Sequence, residues 1–401
     1  MIIGIPREIF PGERRVALVP AAVPTLVKAG CEVVVETGAG SGVGYADTAY
    51  TEKGARVASA RAEVFKASDV VVQVLCHGAN DRNGRDDLPL LRRDQALIGF
   101  LRPLASPLTV REIAATGAMA FAFELMPRIT RAQSMDALSS MATVAGYKAV
   151  VVAAAALPRL FPMLTTAAGT ITPARVLVVG TGVAGLQAIA TGRRLGAVVS
   201  AYDLRPAAKE QVQSLGGRFV ELPLEAADSQ DARGYARAQD ETFYRRQREL
   251  LARVVAESDV VITAALVPGK DAPVLITADM VTAMAPGSVI VDLAAERGGN
   301  CQLTRPNETV VEHGVTVIGS FNLAGTAPYH ASQMYSKNVT NFVLHLLREG
   351  RLGTPELNLE DEITRETLVT RGGEVVNPRV REILAAAIAA GDAAASDRGR
   401  P

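Results

Sequence analysis

The chain has 401 residues, of which 48% are hydrophobic and 21% charged, and this length predicts two domains because a soluble domain usually has ~100–200 residues. Lys and Arg together number 42, as do Asp and Glu, while only 4% of the residues are aromatic and Trp is absent. A net charge of zero argues against binding to nucleic acid or to an anionic membrane. The three cysteines, Cys31, Cys76 and Cys301, follow no short spacing, which argues against a disulfide framework and a zinc site.

The first part of the chain alternates short apolar runs with helical patterns. Strands are predicted at 1–5, 32–36, 69–75, 96–100 and 118–123. Helices are predicted between them at about 20–30, 48–56, 61–67 and 107–116. This alternation predicts parallel βαβ units in a doubly wound sheet, and no glycine fingerprint follows any of these strands.

A long helix is predicted over 134–159, and it leads into a second set of strands. Its most apolar run, 149–157, is too short to cross a bilayer, which requires ~20 residues, and is expected to be a buried helix. The first ten residues, MIIGIPREIF, lack the charged start and apolar run of a signal peptide. The further strands are predicted at 175–179, 198–202, 218–221, 260–263, 288–292 and 315–318.

The predicted fold class is α/β, with two Rossmann-like doubly wound parallel-sheet domains. A helix predicted over 337–348 is expected to pack back on the first sheet, which makes the first domain discontinuous. The predicted boundaries are 1–136 with 326–385 for the first domain, 137–325 for the second domain and 386–401 for a flexible tail.

The second predicted domain carries a glycine fingerprint between a strand and a helix. Residues 175–185 read RVLVVGTGVAG, so Gly180, Gly182 and Gly185 form GxGxxG ahead of the helical stretch LQAIATGRRLG. Gly180 permits the tight turn, Gly182 lets a pyrophosphate approach the backbone, and Gly185 permits close packing of the helix on the strand. The N-terminus of the helix then directs amide groups and the positive end of its dipole at the phosphates.

An acidic residue stands where a dinucleotide-binding fold needs one. The next predicted strand, VVSAY, ends at Asp203, 18 residues beyond Gly185. A carboxylate there accepts hydrogen bonds from a ribose 2′-OH and repels a 2′-phosphate, so NAD(H) is favoured over NADP(H). The nearby Arg205 weakens this preference, because an arginine can accept a 2′-phosphate. The alternative is a structural glycine turn with Asp203 as a helix cap.

A polar cluster follows the last strand of the first half. Residues 128–136 read RITRAQSMD. An amide needs both a donor and an acceptor, and Gln133 and Asp136 with Arg128 supply both, so the cluster could orient a nicotinamide carboxamide. The structural alternative is that Ser134 caps the next helix and Asp136 favours its first turn. The residues by themselves leave both interpretations open.

Several segments together resemble a known family. They read IPREIFPGERRVALVP, PRITRAQSMDALSSMA with AGYKAV, VVGTGVAGLQAIATGRRLGAVVSAYDLR, ALVPGKDAPVLIT and PGSVIVDLAAERGGN. They resemble the NAD(H)-binding alpha component of proton-translocating nicotinamide nucleotide transhydrogenase, which is related to alanine dehydrogenase. The resemblance extends to about residue 380, and it is weakest at 76–88, 222–240 and 321–332.

The resemblance implies the site residues. Those that orient the nicotinamide are Arg128, Gln133, Asp136 and Ser139. Those that bind the rest of the nucleotide are Gly180, Gly182, Val183, Gly185, Asp203, Leu204, Arg205, Gln247 and Leu266. A mobile loop closes over the nucleotide in this family, and its tyrosine matches Tyr235 after Gly234.

The resemblance also implies a reaction and an assembly. The chain would hold NAD(H) and exchange hydride between NADH and NADP+ that is held by an NADP(H)-binding partner subunit, while a membrane-spanning subunit couples this exchange to proton movement. A homodimer is implied, peripheral on the inner face of the cytoplasmic membrane through its partners, without direct membrane insertion and without nucleic acid. Hydride transfer between two nicotinamides needs geometry but no general acid, base or metal. The histidines are therefore expected at non-catalytic positions, and they are His77, His313, His330 and His345.

Two other functions are considered. An alanine dehydrogenase-like enzyme would share Arg15, but it relies on a lysine near 70–76 and a histidine after 96–100, where this chain has Gln73 and Arg102. Reduction of an imine requires proton-transfer and carboxylate-binding groups, and His77 is a possible substitute. The third possibility is a non-catalytic NAD-binding module.

Overall fold

The computed structural model describes residues 1–221, 240–267, 271–320, 322–352 and 356–397. The chain divides into two compact units, of which unit 1 consists of Met1–Met141 with Ala327–Pro401 and unit 2 of Ala142–Thr326. Unit 1 is thus discontinuous. The predicted limits of the first domain were 1–136 and 326–385. The backbone of the predicted tail is helical as far as Asp397.

The strands of the described residues are, in chain order, β1 (Ile2–Ile5), β2 (Glu32–Glu36), β3 (Arg56–Ala58), β4 (Val70–Leu75), β5 (Ala96–Phe100), β6 (Met119–Ala122), β7 (Leu164–Thr166), β8 (Gly169–Ile171), β9 (Arg175–Val179), β10 (Val198–Tyr202), β11 (Arg218–Phe219), β12 (Val260–Thr263), β13 (Val289–Asp292), β14 (Thr309–Glu312), β15 (Val315–Gly319), β16 (Leu368–Arg371) and β17 (Glu374–Val375).

The α-helices of the same residues are α1 (Val23–Lys28), α2 (Asp47–Thr51), α3 (Arg61–Ala67), α4 (Pro107–Ala115), α5 (Ala137–Ala156), α6 (Val183–Arg194), α7 (Ala208–Ser214), α8 (Glu241–Ala256), α9 (Ala278–Thr282), α10 (Pro328–Arg348), α11 (Glu362–Thr367) and α12 (Pro378–Asp397). Short 3-10 helices lie at Pro20–Ala22, Ser41–Val43, Gly84–Leu90, Phe123–Leu125, Thr130–Met135, Ala295–Arg297 and Leu323–Thr326.

The sheet of unit 1 is mostly parallel. Its order is β17-β16-β6-β5-β4-β1-β2-β3, with β1 to β6 parallel and the last two strands antiparallel. The chain proceeds from β1 outward to β3 and then returns with β4 to the other side of β1. The strand order therefore reverses between β1 and β4, and such a reversal leaves a crevice at the carboxyl ends of the two strands.

The antiparallel edge strands β16 and β17 were not predicted. Gly372 and Gly373 join them with φ of 62° and 95°, which is the left-handed pair that a tight two-residue hairpin requires. The same kind of turn joins β14 to β15 through His313 at φ 53° and Gly314 at φ 78°. The predicted doubly wound parallel sheets are thus confirmed, with antiparallel pairs added at these edges.

The sheet of unit 2 has the order β11-β10-β9-β12-β13-β15-β14, and only β14 is antiparallel among its described strands. Along β9, Val176 and Val178 pack into the core on one face, while Leu177 and Val179 pack into the core on the other. A strand buried on both faces has no polar alternation, which explains the continuous apolar run of β9. The order reverses between β9 and β12, so the fingerprint follows a strand at the reversal.

Helix α5 is shorter than predicted. It starts at Ala137, because a 3-10 helix occupies Thr130–Met135, and it ends at Ala156, before Pro158 disfavours helical backbone at the preceding residue. Among the described residues it is the one helix long and apolar enough to cross a membrane by length and composition alone. A core helix passes the same test, and Ala149, Val150 and Ala153 are fully buried in the core of unit 2.

Candidate functional site

The glycine loop of unit 2 has a distinct requirement at each glycine. Gly180 has φ of 94°, and a Cβ there would lie 2.8 Å from the carbonyl carbon of Ala264. A Cβ on Gly185 would lie 2.0 Å from the carbonyl oxygen of Gly180, so the helix can approach the loop only with glycine at this position. A Cβ on Gly182 would meet nothing within 4 Å among the described residues. The loop is therefore closely packed at Gly180 and Gly185 and open to solvent at Gly182.

The N-terminus of α6 faces this open side. Gly182 precedes the helix in extended conformation, and no side chain of the described residues caps it. Val183 is the first helical residue. The first amide groups of an uncapped helix have no intrahelical partner, and together with the helix dipole they attract an anion. The amides at this end of α6 can therefore donate hydrogen bonds to phosphate oxygens.

The Asp203 carboxylate is held in place from both sides. Its Oδ2 accepts from the Thr181 amide at 2.7 Å and the Thr181 hydroxyl at 2.9 Å. Arg205 donates to both carboxylate oxygens, from Nε to Oδ1 and from Nη2 to Oδ2, each at 2.9 Å. Burial alone would raise the pKa of Asp203, but the hydrogen bonds and charge of Arg205 hold it below its usual value. Leu204, between the pair, is half-buried.

The side chain of Asp203 is thus a structural element as well as a candidate ligand. It fastens the glycine loop to the end of β10, and it engages the guanidinium of Arg205. The alternative that it caps a helix is not what these contacts show, since α7 begins at Ala208 and has no side-chain cap among the described residues.

A second loop meets the fingerprint at the reversal of the sheet, just after β12. Asn300 is fully buried; its Oδ1 accepts from the Ala265 amide at 2.9 Å and its Nδ2 donates to the Ala265 carbonyl at 2.9 Å. The same Nδ2 donates to the carbonyl of Pro273 at 2.8 Å. These hydrogen bonds hold Ala265, which packs against Gly180, and the next residue, Leu266, is 41% exposed. Sequence reasoning missed Asn300, because its partners are 27 and 35 residues away.

Gln247 lies on α8 and contacts Tyr202, the last residue of β10, directly before Asp203. Its Nε2 donates to the hydroxyl of Tyr202 at 2.9 Å, and its Oε1 is buried without a partner among the described residues. Burial raises the pKa of Tyr202 to about 12, so the hydroxyl is neutral and can accept this bond. The predicted loop residues Gly234 and Tyr235 lie outside the described residues.

The polar cluster of unit 1 forms a 3-10 helix, Thr130–Met135. Residues three apart are eclipsed in such a helix. Ala132 and Met135 are buried on one face, whereas Gln133 is exposed and Asp136, three residues further on, is half-buried. The 3-10 repeat therefore brings Gln133 and Asp136 onto one accessible face. Arg128 is exposed just ahead of it.

Asp136, and not Ser134, caps α5. The Asp136 Oδ1 accepts from the amide of Ser139 at 2.8 Å, and its Oδ2 accepts from the hydroxyl of Ser139 at 2.5 Å. The expectation that Ser134 is the cap was wrong, because the 3-10 helix delays the start of α5 to Ala137. The two predicted site residues Asp136 and Ser139 are in direct contact.

Buried ionisable groups lie at the strand reversal of unit 1. Glu8, after β1, accepts from the amides of Val74 at 2.6 Å and Leu75 at 3.1 Å, at the end of β4. Burial, together with the charge of Glu13, raises the pKa of Glu8 to about 8. Arg15 makes a two-point ion pair with Glu13, at 2.6 and 2.8 Å, and their side chains are 3% and 0% exposed.

The side chains that sequence reasoning weighed for a dehydrogenase are also engaged within unit 1. Gln73 donates to Asp87 at 2.9 Å, and the ring Nε2 of His77 pairs with Glu112 at 2.7 Å. His345 pairs with Asp361 at 2.7 Å, and His313 occupies a hairpin turn. No group of three or more His, Cys, Asp or Glu that could hold a metal ion occurs among the described residues.

The chain matches family models and known proteins along most of its length. The model described as "Alanine dehydrogenase/PNT, N-terminal domain" matches 4–145, and that for the "C-terminal domain" matches 149–378. The chain is 48% identical over 385 residues to a Rhodospirillum rubrum protein that is the first part of the NAD(P) transhydrogenase subunit alpha, covering 94% of this chain and 98% of that protein.

Two further relatives are informative. The crystal structure of transhydrogenase from Sinorhizobium meliloti is similar with a TM-score of 0.80 at 41% identity, covering 94% of this chain and 99% of that chain. Alanine dehydrogenase of Bacillus subtilis is a more distant relative, 30% identical over 400 residues and covering 96% of this chain and 95% of that protein.

Proposed function

Because this chain belongs to the alanine dehydrogenase/PNT family, we propose that it binds NAD(H) and exchanges hydride with NADP(H) held by a partner subunit. It is an oxidoreductase component of a transhydrogenase, like the Rhodospirillum rubrum relative whose length it covers almost completely. The family by itself includes alanine dehydrogenases, so the choice between the two reactions depends on the sites.

One observation carries the NAD(H) proposal. The N-terminus of α6 has no side-chain cap among the described residues, and it follows Gly182, where the loop is open. The buried carboxylate of Asp203 directly follows the neighbouring strand β10. A pyrophosphate supplies the missing acceptors for the helix amides, and a ribose hydroxyl supplies a donor to the carboxylate. The buried Oε1 of Gln247, which has no partner among the described residues, is a further acceptor near the end of the same strand.

The preference for NAD(H) follows from the state of Arg205. A free arginine can accept a 2′-phosphate, but here both carboxylate oxygens of Asp203 hold the guanidinium. A 2′-phosphate would have to break this two-point pair and would also be repelled by the carboxylate. A 2′-OH needs only one lone pair of Asp203. We therefore propose discrimination against NADP(H) at this position.

The polar face of unit 1 is proposed to orient the nicotinamide. Arg128 and Gln133 supply donors, while Asp136 and the amide oxygen of Gln133 supply acceptors for a carboxamide. Ser139, bonded to Asp136, orients that carboxylate. When bound, the nicotinamide supplies the hydride, and these residues contribute orientation, which is worth several kcal/mol when the reacting atoms are brought to roughly 3–3.5 Å.

The partners are proposed from the same family membership. The words "subunit alpha" in the name of the Rhodospirillum rubrum relative indicate a complex with other subunits. We propose an NADP(H)-binding subunit and a membrane-spanning subunit, a homodimer of this chain, and a cytoplasmic position on the membrane through those partners. Direct membrane insertion of this chain and binding to nucleic acid are not proposed.

Alanine oxidation is the weaker candidate. Such a reaction needs a cation for the substrate carboxylate and a group for proton transfer. Arg15 is neutralised by Glu13 within a buried pair, Gln73 replaces the lysine, and His77 is already paired with Glu112. A substrate carboxylate would have to displace Glu13, which is an unfavourable exchange in a buried site.

The proposed function is tested by mixing the purified chain with a transhydrogenase NADP(H)-binding component and following hydride transfer from NADH to an oxidised NADP analogue. The chain alone with NAD+ and L-alanine is the control. Transfer in the mixture, with no NADH formed in the control, is expected. NADH formation from alanine by the chain alone would transfer the assignment to an amino-acid dehydrogenase.

A further inference from the structure

Helix α10 holds the 130–136 segment at one backbone atom. The carbonyl oxygen of Ser134 accepts from the Nδ2 of Asn338 at 3.0 Å and from the Nδ2 of Asn341 at 3.2 Å. This carbonyl lies between Gln133 and Asp136, near the end of the 3-10 helix, where carbonyl groups lack an intrahelical partner. Two amides from another helix thus cap the segment that presents the proposed nicotinamide ligands.

Asn338 is the stronger of the two donors. Its side chain is 6% exposed and its bond is the shorter one, whereas the bond from Asn341 lies in an exposed position. The bond from Asn338 is half-buried, so water competes with it less than with the exposed bond from Asn341. We therefore expect Asn338 to contribute more than Asn341 to the position of the Ser134 carbonyl.

The amide oxygen of Asn338 indicates that this side chain acts as a hydrogen-bond donor. Its Oδ1 is buried and has no partner among the described residues. An aliphatic side chain of similar size would avoid this unsatisfied acceptor. Among the described residues, the Asn338 side chain therefore contributes a hydrogen bond through its Nδ2 donor and none through its oxygen.

The described residues show two other polar tethers of this segment. Asp136 bonds Ser139 and so fixes the C-terminal end of the segment to α5, whereas the tether at Arg131 is weak. Arg131 approaches Asp361 at 3.5 Å, and its side chain is 61% exposed. Exposed ion pairs contribute about 0–1 kcal/mol. The remaining anchors, Ala132 and Met135, are apolar and bury one face of the segment, but they give its backbone carbonyl groups no hydrogen-bond donor.

We propose that Asn338 is a positioning residue for hydride transfer, acting through the Ser134 carbonyl to hold Gln133 in place next to Asp136. This inference rests on the proposed function. A displacement of about 1 Å at reacting groups can reduce a rate ~100-fold, whereas binding of the adenosine and pyrophosphate parts depends on residues of unit 2. Loss of the Asn338 donor should therefore slow transfer without weakening NADH binding in proportion.

The test uses N338D and N338L in the full chain mixed with the NADP(H)-binding component. At about pH 7.5 each variant is expected to transfer hydride at least ~10-fold more slowly at saturating NADH, with the NADH Kd from calorimetry changed less than ~3-fold. Lowering the pH protonates the new carboxyl of N338D, which can then donate to Ser134 again. The rate of N338D relative to the unmodified chain at the same pH should rise, and that of N338L should not.

A matched control is T340V, two residues along the same helix, because Thr340 donates to the α10 carbonyl of Ser336 at 2.7 Å. This variant should retain the rate. Unchanged rates in both Asn338 variants, or losses of rate and of NADH affinity in equal proportion without recovery of N338D at low pH, would overturn the positioning role. Absence of transfer by the unmodified chain would instead overturn the proposed function. Should N338D fail to fold, the separation of rate from Kd in N338L decides the question.

Discussion

The two units have the same topological feature and use it in opposite ways. Each sheet reverses its strand order, between β1 and β4 in unit 1 and between β9 and β12 in unit 2. In unit 2 the loop at the reversal carries the open Gly182 and an uncapped helix. In unit 1 the amides of Val74 and Leu75, at the end of β4, are already bonded to the buried Glu8, which follows β1. The topology creates a crevice, and the side chains at the loop decide whether a ligand can use it.

The two units differ in whether backbone amide donors near the strand reversal remain available to a ligand. Glycines in the unit 2 loop leave the helix amides exposed to an incoming anion. The buried side chains of unit 1 act as internal ligands, because the carboxyl group of Glu8 accepts the backbone hydrogen bonds and Glu13 neutralises Arg15. A buried charge cluster therefore signals a ligand site only when its members lack partners within the chain.

The largest expected effect is at the filled reversal of unit 1. R15M leaves the carboxylate of Glu13 buried without its cation, which should lower the free energy of unfolding by about 3–5 kcal/mol. The double variant E13L/R15M removes both charges and should recover most of this loss. Denaturant unfolding followed by circular dichroism measures both variants. If R15M is as stable as the unmodified chain, Arg15 is free to bind a ligand and the contrast between the units disappears.

The glycine loop of unit 2 offers a matched pair of variants. In G185A the added methyl group would lie 2.0 Å from the carbonyl oxygen of Gly180, so stability should fall by about 1–3 kcal/mol and NADH binding with it. In G182A the methyl group enters open space, so the melting temperature should be retained while the NADH Kd rises at least ~10-fold by obstruction of the pyrophosphate. Calorimetry and thermal unfolding separate the two. Unchanged NADH affinity in G182A would contradict the use of the open side.

Asp203 tests the specificity of the open site. D203N removes a charged acceptor worth about 1.5–3 kcal/mol and releases Arg205, so the NADH Kd should rise ~10- to 100-fold and the ratio of NADPH to NADH affinity should increase. E210Q, an exposed residue on α7, changes the net charge equally and should leave both affinities unchanged. Equal loss of affinity for both nucleotides in D203N would indicate that the carboxylate only supports the loop.

The smallest expected effect is the change in stability that Glu8 causes between pH 7 and 8, about 1 kcal/mol. Its folded pKa of about 8 lies above the ordinary value of 4.5, so between these values the folded state holds a proton that the unfolded state has released. The free energy of unfolding should therefore fall as the pH rises through this range and become constant above about pH 8. Burial raises the pKa of Glu124 to about 7, so the interval from pH 7 to 8 reports mainly on Glu8.

E8Q should flatten the stability profile in this same interval. E63Q is the control, because the pKa of the exposed Glu63 is lowered by its hydrogen bonds to Ser59 and Arg56 and contributes nothing there. An E8Q profile as steep as that of the unmodified chain would show that the Glu8 carboxylate is ionised when the protein is folded.

Local patterns were sufficient for the main strands and for the fingerprint. β2, β5 and β9 have the predicted bounds, because apolar runs between turn signals are a local property. The short edge strands were missed, since their stability comes from pairing with a neighbour and not from their own composition. The start of α5 was predicted too early, at 134, because the 3-10 helix and the cap at Asp136 depend on burial of Ala132 and Met135.

Residue type and spacing along the chain were enough to predict the class of the fold and to select the glycines and Asp203 as candidate site residues, while the family came from the resemblance of several segments. Only the tertiary structure decided which polar groups are already satisfied. Arg205 bonded to Asp203, Arg15 bonded to Glu13, and Ser134 held by Asn338 from 204 residues away are partnerships that no spacing reveals. The physical reason is that a hydrogen bond depends on distance in space, and the fold brings together groups that are remote in the chain.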